Sequence, residues 1–591
     1  MSARTSARSR RVPLALVLLV SLVSIGRSTQ GERPRAPSLL PENTCAYLRI
    51  GDAAEFLELY RNTSIGRVLQ DPQMQPLVNQ LYGSIFDAFR ERGEQWGLSL
   101  DEIIALARGE VSVALVTPDR DRRDFVLFVE VGDQLPAALT LIERILKQME
   151  LGGATRTTVS WDGTDLILLE KPDRSTVFFQ RDNTIAVVTD LELAKQMLTV
   201  WNGAESRTLA NKSEFGDIMD SCAGASGDPP QLTYFVDPLG LINSIASDNA
   251  ALRMGVSVLE VMGLGGLRGF GGSLTVSGHQ YDSIHHMHLL MDTPPKGVLE
   301  VLALRSGDVT PEPWVPGDVA SYTTVHWDFQ RSYSALNSVY DIFRGEGAWV
   351  EHVDRRITDE LGVDLQQDIF PMLEGRLTHL EWLQKPARPD SHATLFGVKL
   401  KDANAFRQVL TKMLGRAPSG FVRKTYAGVT YYQVQLRSRS ANAAGEAQNP
   451  PDSYVTILGD YLLLTNRLKL LEHTIDTKRG SASPLSDELD FKLIASKISR
   501  QLGQREPGMI FFKRPYETFR NTYELLGSDD TRQRLSVQAE RSRVIKAVHE
   551  ALSQNPLPPF DVVMKYLAPT GGFLTSDATG IHGVRFTLKR E

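Results

Sequence analysis

The sequence predicts an α+β protein built as two tandem homologous modules, each a mainly antiparallel sheet with segregated helices. Three observations carry this expectation. Short apolar runs with two-residue alternation recur along the chain, as in EVSVALV (110–116) and DFVLFVEV (124–131). Their connections are short, and parallel pairs need crossovers of roughly a dozen residues or more, so the strands must pair mainly antiparallel. Segments with helical spacing stand apart from the strand groups, the plan of an α+β fold.

A further observation, behind the two tandem modules, is a repeat of six stretches in the same order. GLSL (97–100) followed by RGEVSVAL matches GVDL (362–365) followed by EGRLTHL. VLFVEVGDQLPAALTLIERIL (126–146) matches TLFGVKLKDANAFRQVLTKML (394–414), and DNTIAVVTDLELAKQML (182–198) matches GDYLLLTNRLKLLEHTI (459–475). LANKSEFGDIM matches LSDELDFKLIA, TYFVDP matches IFFKRP, and GGSLTVSG (271–278) matches GGFLTSDA (571–578). The openings agree too. LPENTCAYLRIGDA (40–53) and VPGDVASYTTVHWDF (315–329) each pass through a proline into a short β-rich run ending at an aspartate. Proline biases its predecessor away from helix, so each lead-in is extended.

Within a module the expected order is as follows. A strand opens it (Ala46–Ile50; Ser321–Trp327), and a helical segment runs through Asp101–Arg108, with stop signals at Gly93, Gly97 and Gly109. Two alternating strands flank the polar turn DRDRRD. A helix over Leu135–Met149 puts Leu139, Ile142, Ile145 and Leu146 on one face. The strands TRTTVSW, DLILLEK, STVFFQ and TIAVVT follow, then a strand at Leu232–Val236, a helix within Leu241–Met262, and the closing strands SLTVS and SIHHMHLLM. The boundaries are a signal peptide (1–28), a short linker (29–39), module 1 (40–304), a Pro-rich junction (305–318) and module 2 (319–591), with a polar insertion at 438–452.

With 591 residues, 42% of them hydrophobic, the chain has ample material for buried cores. A net charge of −6 without a basic stripe argues against nucleic acid. Arg4, Arg8, Arg10 and Arg11 precede the apolar run Val12–Ile25, and small residues follow, the layout of a secretory signal. That run is shorter than the ~20 residues of a spanning helix, and no later stretch is apolar enough to span a membrane. The mature chain is therefore expected in the periplasm, the cell envelope or outside the cell. Cys45 and Cys222 suit an exported chain that carries one disulfide, or equally two buried thiols.

Few residues point to chemistry. In HQYDSIHHMH, strand alternation puts His286 and His288 on one face, where with His279 or Asp282 they could bind zinc or copper. In gapless register from the double glycines the pair falls on Phe586 and Leu588, so the repeat has apolar residues there. The run MGLGGLRGFGG lacks dinucleotide spacing and precedes a strand, which reads as turn and close-packing glycines. Asp119, Asp121 and Asp124 read as a solvated turn. Trp314 is a candidate partner anchor, or a plug in the seam between modules. No nucleophile elbow, P-loop or metalloprotease motif is present, and no catalytic residue or cofactor is expected.

Three passages carry a family resemblance: LPENTCAYLRIGD, the junction GVLEVLALRSGDVTPEPWVPGDVASYTTVHWD, and APTGGFLTSDATGIHGVRFTLKR. Together they resemble an uncharacterised domain-of-unknown-function family of large exported bacterial proteins of planctomycetes and cyanobacteria. The resemblance spans roughly residues 40–591 and implies export, with no catalytic residues to carry over. The expected function is a non-catalytic envelope or periplasmic protein that binds a partner, polymer or lipid, or has a structural role. Alternatives are an exported hydrolase with a site in the inter-module cleft and a carrier of apolar ligand.

Overall fold

The computed structural model describes residues 33–81, 105–118, 122–172, 174–224, 229–246, 250–385, 391–416, 420–434, 452–539 and 543–590. The expected signal peptide, Gly93, Gly97, Asp119, Asp121 and nearly all of the insertion at 438–452 lie outside the described residues.

The fold is α+β. Among the described residues, twenty strands form one antiparallel sheet. In the first half they are β1 (Thr44–Ile50), β2 (Val111–Val116), β3 (Asp124–Glu130), β4 (Thr155–Trp161), β5 (Thr164–Lys171), β6 (Arg174–Arg181), β7 (Thr184–Val188), β8 (Leu232–Val236), β9 (Leu267–Val276) and β10 (Tyr281–Met291). In the second they are β11 (Ser321–His326), β12 (Leu373–Leu383), β13 (His392–Leu400), β14 (Phe421–Tyr426), β15 (Val429–Val434), β16 (Ser453–Leu458), β17 (Tyr461–Thr465), β18 (Met509–Lys513), β19 (Thr570–Ser576) and β20 (Gly580–Leu588). The ladders run β4-β5-β6-β7-β3-β2-β1-β8-β9-β10, then β20-β19-β18-β11-β12-β13-β17-β16-β15-β14. The two halves have the same internal order and meet edge to edge at β10–β20.

The opening aspartates have a clear role. Asp52 ends the first opening and accepts the N–H of Glu55, capping the helix Ala53–Arg61. Asp328 accepts the N–H of Arg331 and caps Phe329–Arg344. A carboxylate at this position satisfies an orphan helix donor. The segment 241–262 forms two helices, Pro238–Ala246 and Ala250–Val261.

Each half buries one sheet face under two helices. In the first, Leu191–Trp201 and Ser213–Ser221 cover Tyr47, Phe128 and Phe235; in the second, Leu468–Lys478 and Leu489–Leu502 cover Tyr322, Leu395 and Phe512. An aromatic chain recurs in each core. Tyr47, Phe215 and Phe235 have centroid spacings of 5.8 and 5.7 Å, and Tyr322, Phe491 and Phe512 have 6.2 and 5.5 Å. These separations suit edge-to-face contact. Gly271 and Gly571 let Ile218 and Ile494 approach the sheet: a Cβ there would meet them at 2.7 and 2.2 Å.

The ion pairs recur with reversed sign. Glu110, the residue before the strand β2, sits 3.5 Å from Arg33 and 2.6 Å from Arg49. At the matching ladder position stands Arg376, 3.0 Å from Glu312 and 3.7 Å from Asp308. Before the prolines that follow β8 and β18, Asp237 pairs with Lys212 at 3.1 Å and Arg514 pairs with Asp490 at 2.6 Å.

Several sequence expectations change. Residues 33–39 are no linker, since Ala36 and Leu39 are fully buried in the first core. The junction is likewise built in: Glu312, Trp314 and Val315 are buried. Trp314 does not plug a seam between halves. It packs on Tyr461 in the second core and fills the space above Gly397. The ladders also move the repeat by one residue here. Phe128 pairs with Ser112 as Gly397 pairs with Thr378, so tryptophan occupies the volume that Phe128 supplies in the first half.

The buried pair Glu312–Arg376 yields a first prediction. Glu312→Leu strands a guanidinium that is 4% exposed, and should destabilise the chain by about 3–5 kcal/mol. Adding Arg376→Met should restore most of the loss in a urea-denaturation double-mutant cycle.

Candidate functional site

The seam β10–β20 has a different character on its two faces. On the core face, His286 and His288 do share a side, and β20 brings His582 between them. Ring centroids are 5.8 Å from His286 to His582 and 6.0 Å from His288 to His582. All three are buried. Among the described residues neither nitrogen of His286 finds a hydrogen-bond partner, while His288 Nε2 meets Thr579 Oγ1 at 3.2 Å. Burial holds all three imidazoles below their ordinary range, His286 and His582 at about 4, with Arg505 adding to the effect on both. Among the described residues no group of three or more His, Cys, Asp or Glu is arranged to hold a metal ion.

The other expected ligands stand elsewhere. His279 is exposed in the hairpin turn, and a bulge between Tyr281 and Ser283 turns Asp282 to the opposite side. There Asp282 accepts the N–H of Ser64 at 2.7 Å. The ladders also correct the repeat register. Ser273 pairs with His286 and Phe573 with Val584, so His286 and His288 correspond to Val584 and Phe586. The second hairpin is two residues shorter. That shift hid His582, which alternation in GIHGVRF could otherwise have disclosed.

Cys45 and Cys222 are free and buried, so no disulfide joins them. Cys45 sits on β1 and donates toward Leu115 O at 3.4 Å; Cys222 caps a helix and faces Gly271 O on β9 at 4.0 Å. β8 lies between those strands. Two strand spacings are about 10 Å, beyond the roughly 7 Å reach of a disulfide. Burial raises both thiols, to about 11 and about 12. Asp124, expected in a solvated turn, is instead buried, and burial raises its pKa against the opposing pull of Arg122.

The second face is apolar along a continuous row of directly paired residues. From β7 to the seam it reads Val187, Leu127, Val113, Leu48, Tyr234, Gly272 and Met287. Across the seam it continues Gly583, Leu574, Met509, Val325, Leu377, Val398 and Leu462. The two glycines are buried, but every side chain in the row keeps some exposure, and Leu48 is 43% exposed. Among the described residues, helices cover its outer ends, Leu135–Leu151 over β5–β7 and Ala403–Arg416 over β16 and β17. Phe125, Phe396 and Leu464 are further large apolar side chains of this face left open.

Where this face crosses the seam, a cavity of about 410 Å³ opens between the halves. The first half supplies Ile65, Leu232, Leu274, Asp282, Ser283 and His285; the second supplies Pro515, Leu567, Ala568, Thr570, Arg585 and Thr587. Tyr234 Oη lies 3.0 Å from a nitrogen of His285, whose pKa is lowered by burial and by Arg585. A larger cavity, about 1020 Å³, is lined by the second half alone. Two of its carboxylates are paired: Asp490 with Arg514 and Tyr516, and Asp318 with His473 and Trp382. Although burial opposes both carboxylates, these partners hold Asp490 and Asp318 below the carboxylate range, and burial pushes Tyr516 up to about 12. The hydrogen bond to Asp318 raises His473 from its ordinary value, against the effect of burial.

The buried histidines make stability depend on pH. In the unfolded chain they titrate near 6.5, so their contribution is complete above about pH 6.5. It is lost as pH falls toward the folded values of about 4 for His286 and His582. Unfolding free energy by urea titration should drop across that window, by roughly 3 kcal/mol per histidine, and His286→Phe with His582→Phe should flatten the drop.

Residues 349–539 match the model of a family described as "Protein of unknown function (DUF3352)". The match lies inside the second half and stops short of the seam strands β19 and β20. No curated protein and no solved structure matches the chain.

Proposed function

We propose that this chain is an exported, non-catalytic binding protein for an apolar ligand, formed by tandem duplication of one module. The observation that carries the ligand class is the apolar row, which crosses the seam without a polar side chain other than the phenol of Tyr234. Soluble chains seldom leave a contiguous apolar surface of this extent without a use for it. Export rests on the basic and apolar leader, 1–28, and on the bacterial family resemblance. Among the described residues no helix is long and apolar enough to cross a membrane.

The duplication is supported by the equal strand orders, the paired aromatic chains and the sign-reversed ion pairs. The seam adds to this. With His286 equivalent to Val584, the pairs Ile284↔Phe586 and His288↔His582 exchange under a two-fold rotation. That is the pattern of an isologous contact, here made within one chain.

The test uses Nile red, an uncharged dye that brightens on apolar surface. The native chain should enhance its fluorescence, and Phe125→Glu with Phe396→Glu, both at exposed positions, should abolish most of it without lowering the melting temperature. No enhancement by the folded wild type would sink the reading.

A further inference from the structure

We infer that the inter-half cavity is a head-group site for a single-chain carboxylate amphiphile, a fatty-acid-like molecule whose tail follows the apolar row. This rests on the apolar-ligand reading and deepens it. The cation is Arg585. It lines the cavity, is exposed, and forms no hydrogen bond or ion pair among the described residues. An arginine fork left open in an apolar recess is suited to a planar carboxylate, which it can bind through two parallel hydrogen bonds.

Register places this cation correctly for such a ligand. Arg585 pairs with His285 across the seam, and the adjacent pair two residues along is Met287↔Gly583, in the apolar row. Two residues along a strand are about 7 Å, so a head group on Arg585 leaves its chain at the row. Ile65, Leu232, Leu274 and Leu567 supply the apolar walls between. Thr587, on the same strand face, lines the cavity too, its hydroxyl sharing a hydrogen bond of 3.1 Å with that of Thr570.

The charge balance favours an anion. Asp282 is the one carboxylate among the described lining residues. It is buried, accepts the Ser64 N–H, and feels Arg67 and Lys589 as well. It therefore leaves Arg585 uncompensated. The volume, about 410 Å³, lies toward the small end of ligand sites, which favours one chain over a two-chain lipid.

Dodecanoate and 1-dodecanol distinguish the head group from the tail. By isothermal titration above the carboxylate pKa, the wild type should bind dodecanoate about tenfold tighter than the alcohol, as a charged hydrogen-bonded pair provides. Arg585→Met should lower dodecanoate's affinity to that of the alcohol, while Arg585→Lys should keep part of the difference. Equal binding of both molecules by the wild type overturns the head-group site and leaves the apolar reading standing. Binding of neither overturns both. Co-sedimentation with phosphatidylglycerol vesicles, without dodecanoate binding, assigns the cation to a membrane surface and overturns the proposal. The wild-type ratio is decisive even if a variant fails to fold.

Discussion

The edge-to-edge pairing of β10 with β20 is the constraint on which the remaining architecture depends. Without it there would be two sheets, each with an open edge able to template association. With it, nine residue pairs from Tyr281↔Leu588 to Leu290↔Gly580 join the halves through backbone hydrogen bonds. The pairing also sets what lies on each side. Because side chains alternate, one register decides both that three imidazoles meet in the core and that His285 and Arg585 meet on the open face.

The two halves hold the same backbone with different side chains. Where the first half buries Glu110 against two arginines, the second buries Arg376 against two acids. Removing either partner leaves a buried charge, so such pairs can change sign only together. The same compensation appears in volume. Gly397 lacks the ring of Phe128, and Trp314 arrives from the lead-in to fill the gap. These exchanges explain why the repeat is visible in apolar periodicity and weak in identity.

The faces of the sheet divide the labour. The core face is sealed by helices and carries the stability, including neutral histidines that cannot charge without cost. The open face carries what a ligand could use: an apolar row, a small cavity at its centre, and Arg585, which has no ion pair among the described residues. In the larger cavity of the second half Asp490 and Asp318 are held by Arg514, His473 and Trp382.

The sequence by itself determined the elements and the repeat, because alternation and helical spacing are local properties. The helix over 135–149 runs Leu135–Leu151, and TRTTVSW forms β4 as written. It also determined that His286 and His288 share a face. Only the tertiary structure decided what that face meets. His582 lies 294 positions from His288, Arg585 reaches His285 only through the seam, and a single bulge moved Asp282 away from the imidazoles. Trp314 reads as a partner anchor or a seam plug, and Ala36 as a linker residue, because nothing near them in sequence marks the cores they enter. Pairing partners, bulges and buried lead-ins depend on contacts between distant segments, and a local pattern carries no information about which distant segment arrives.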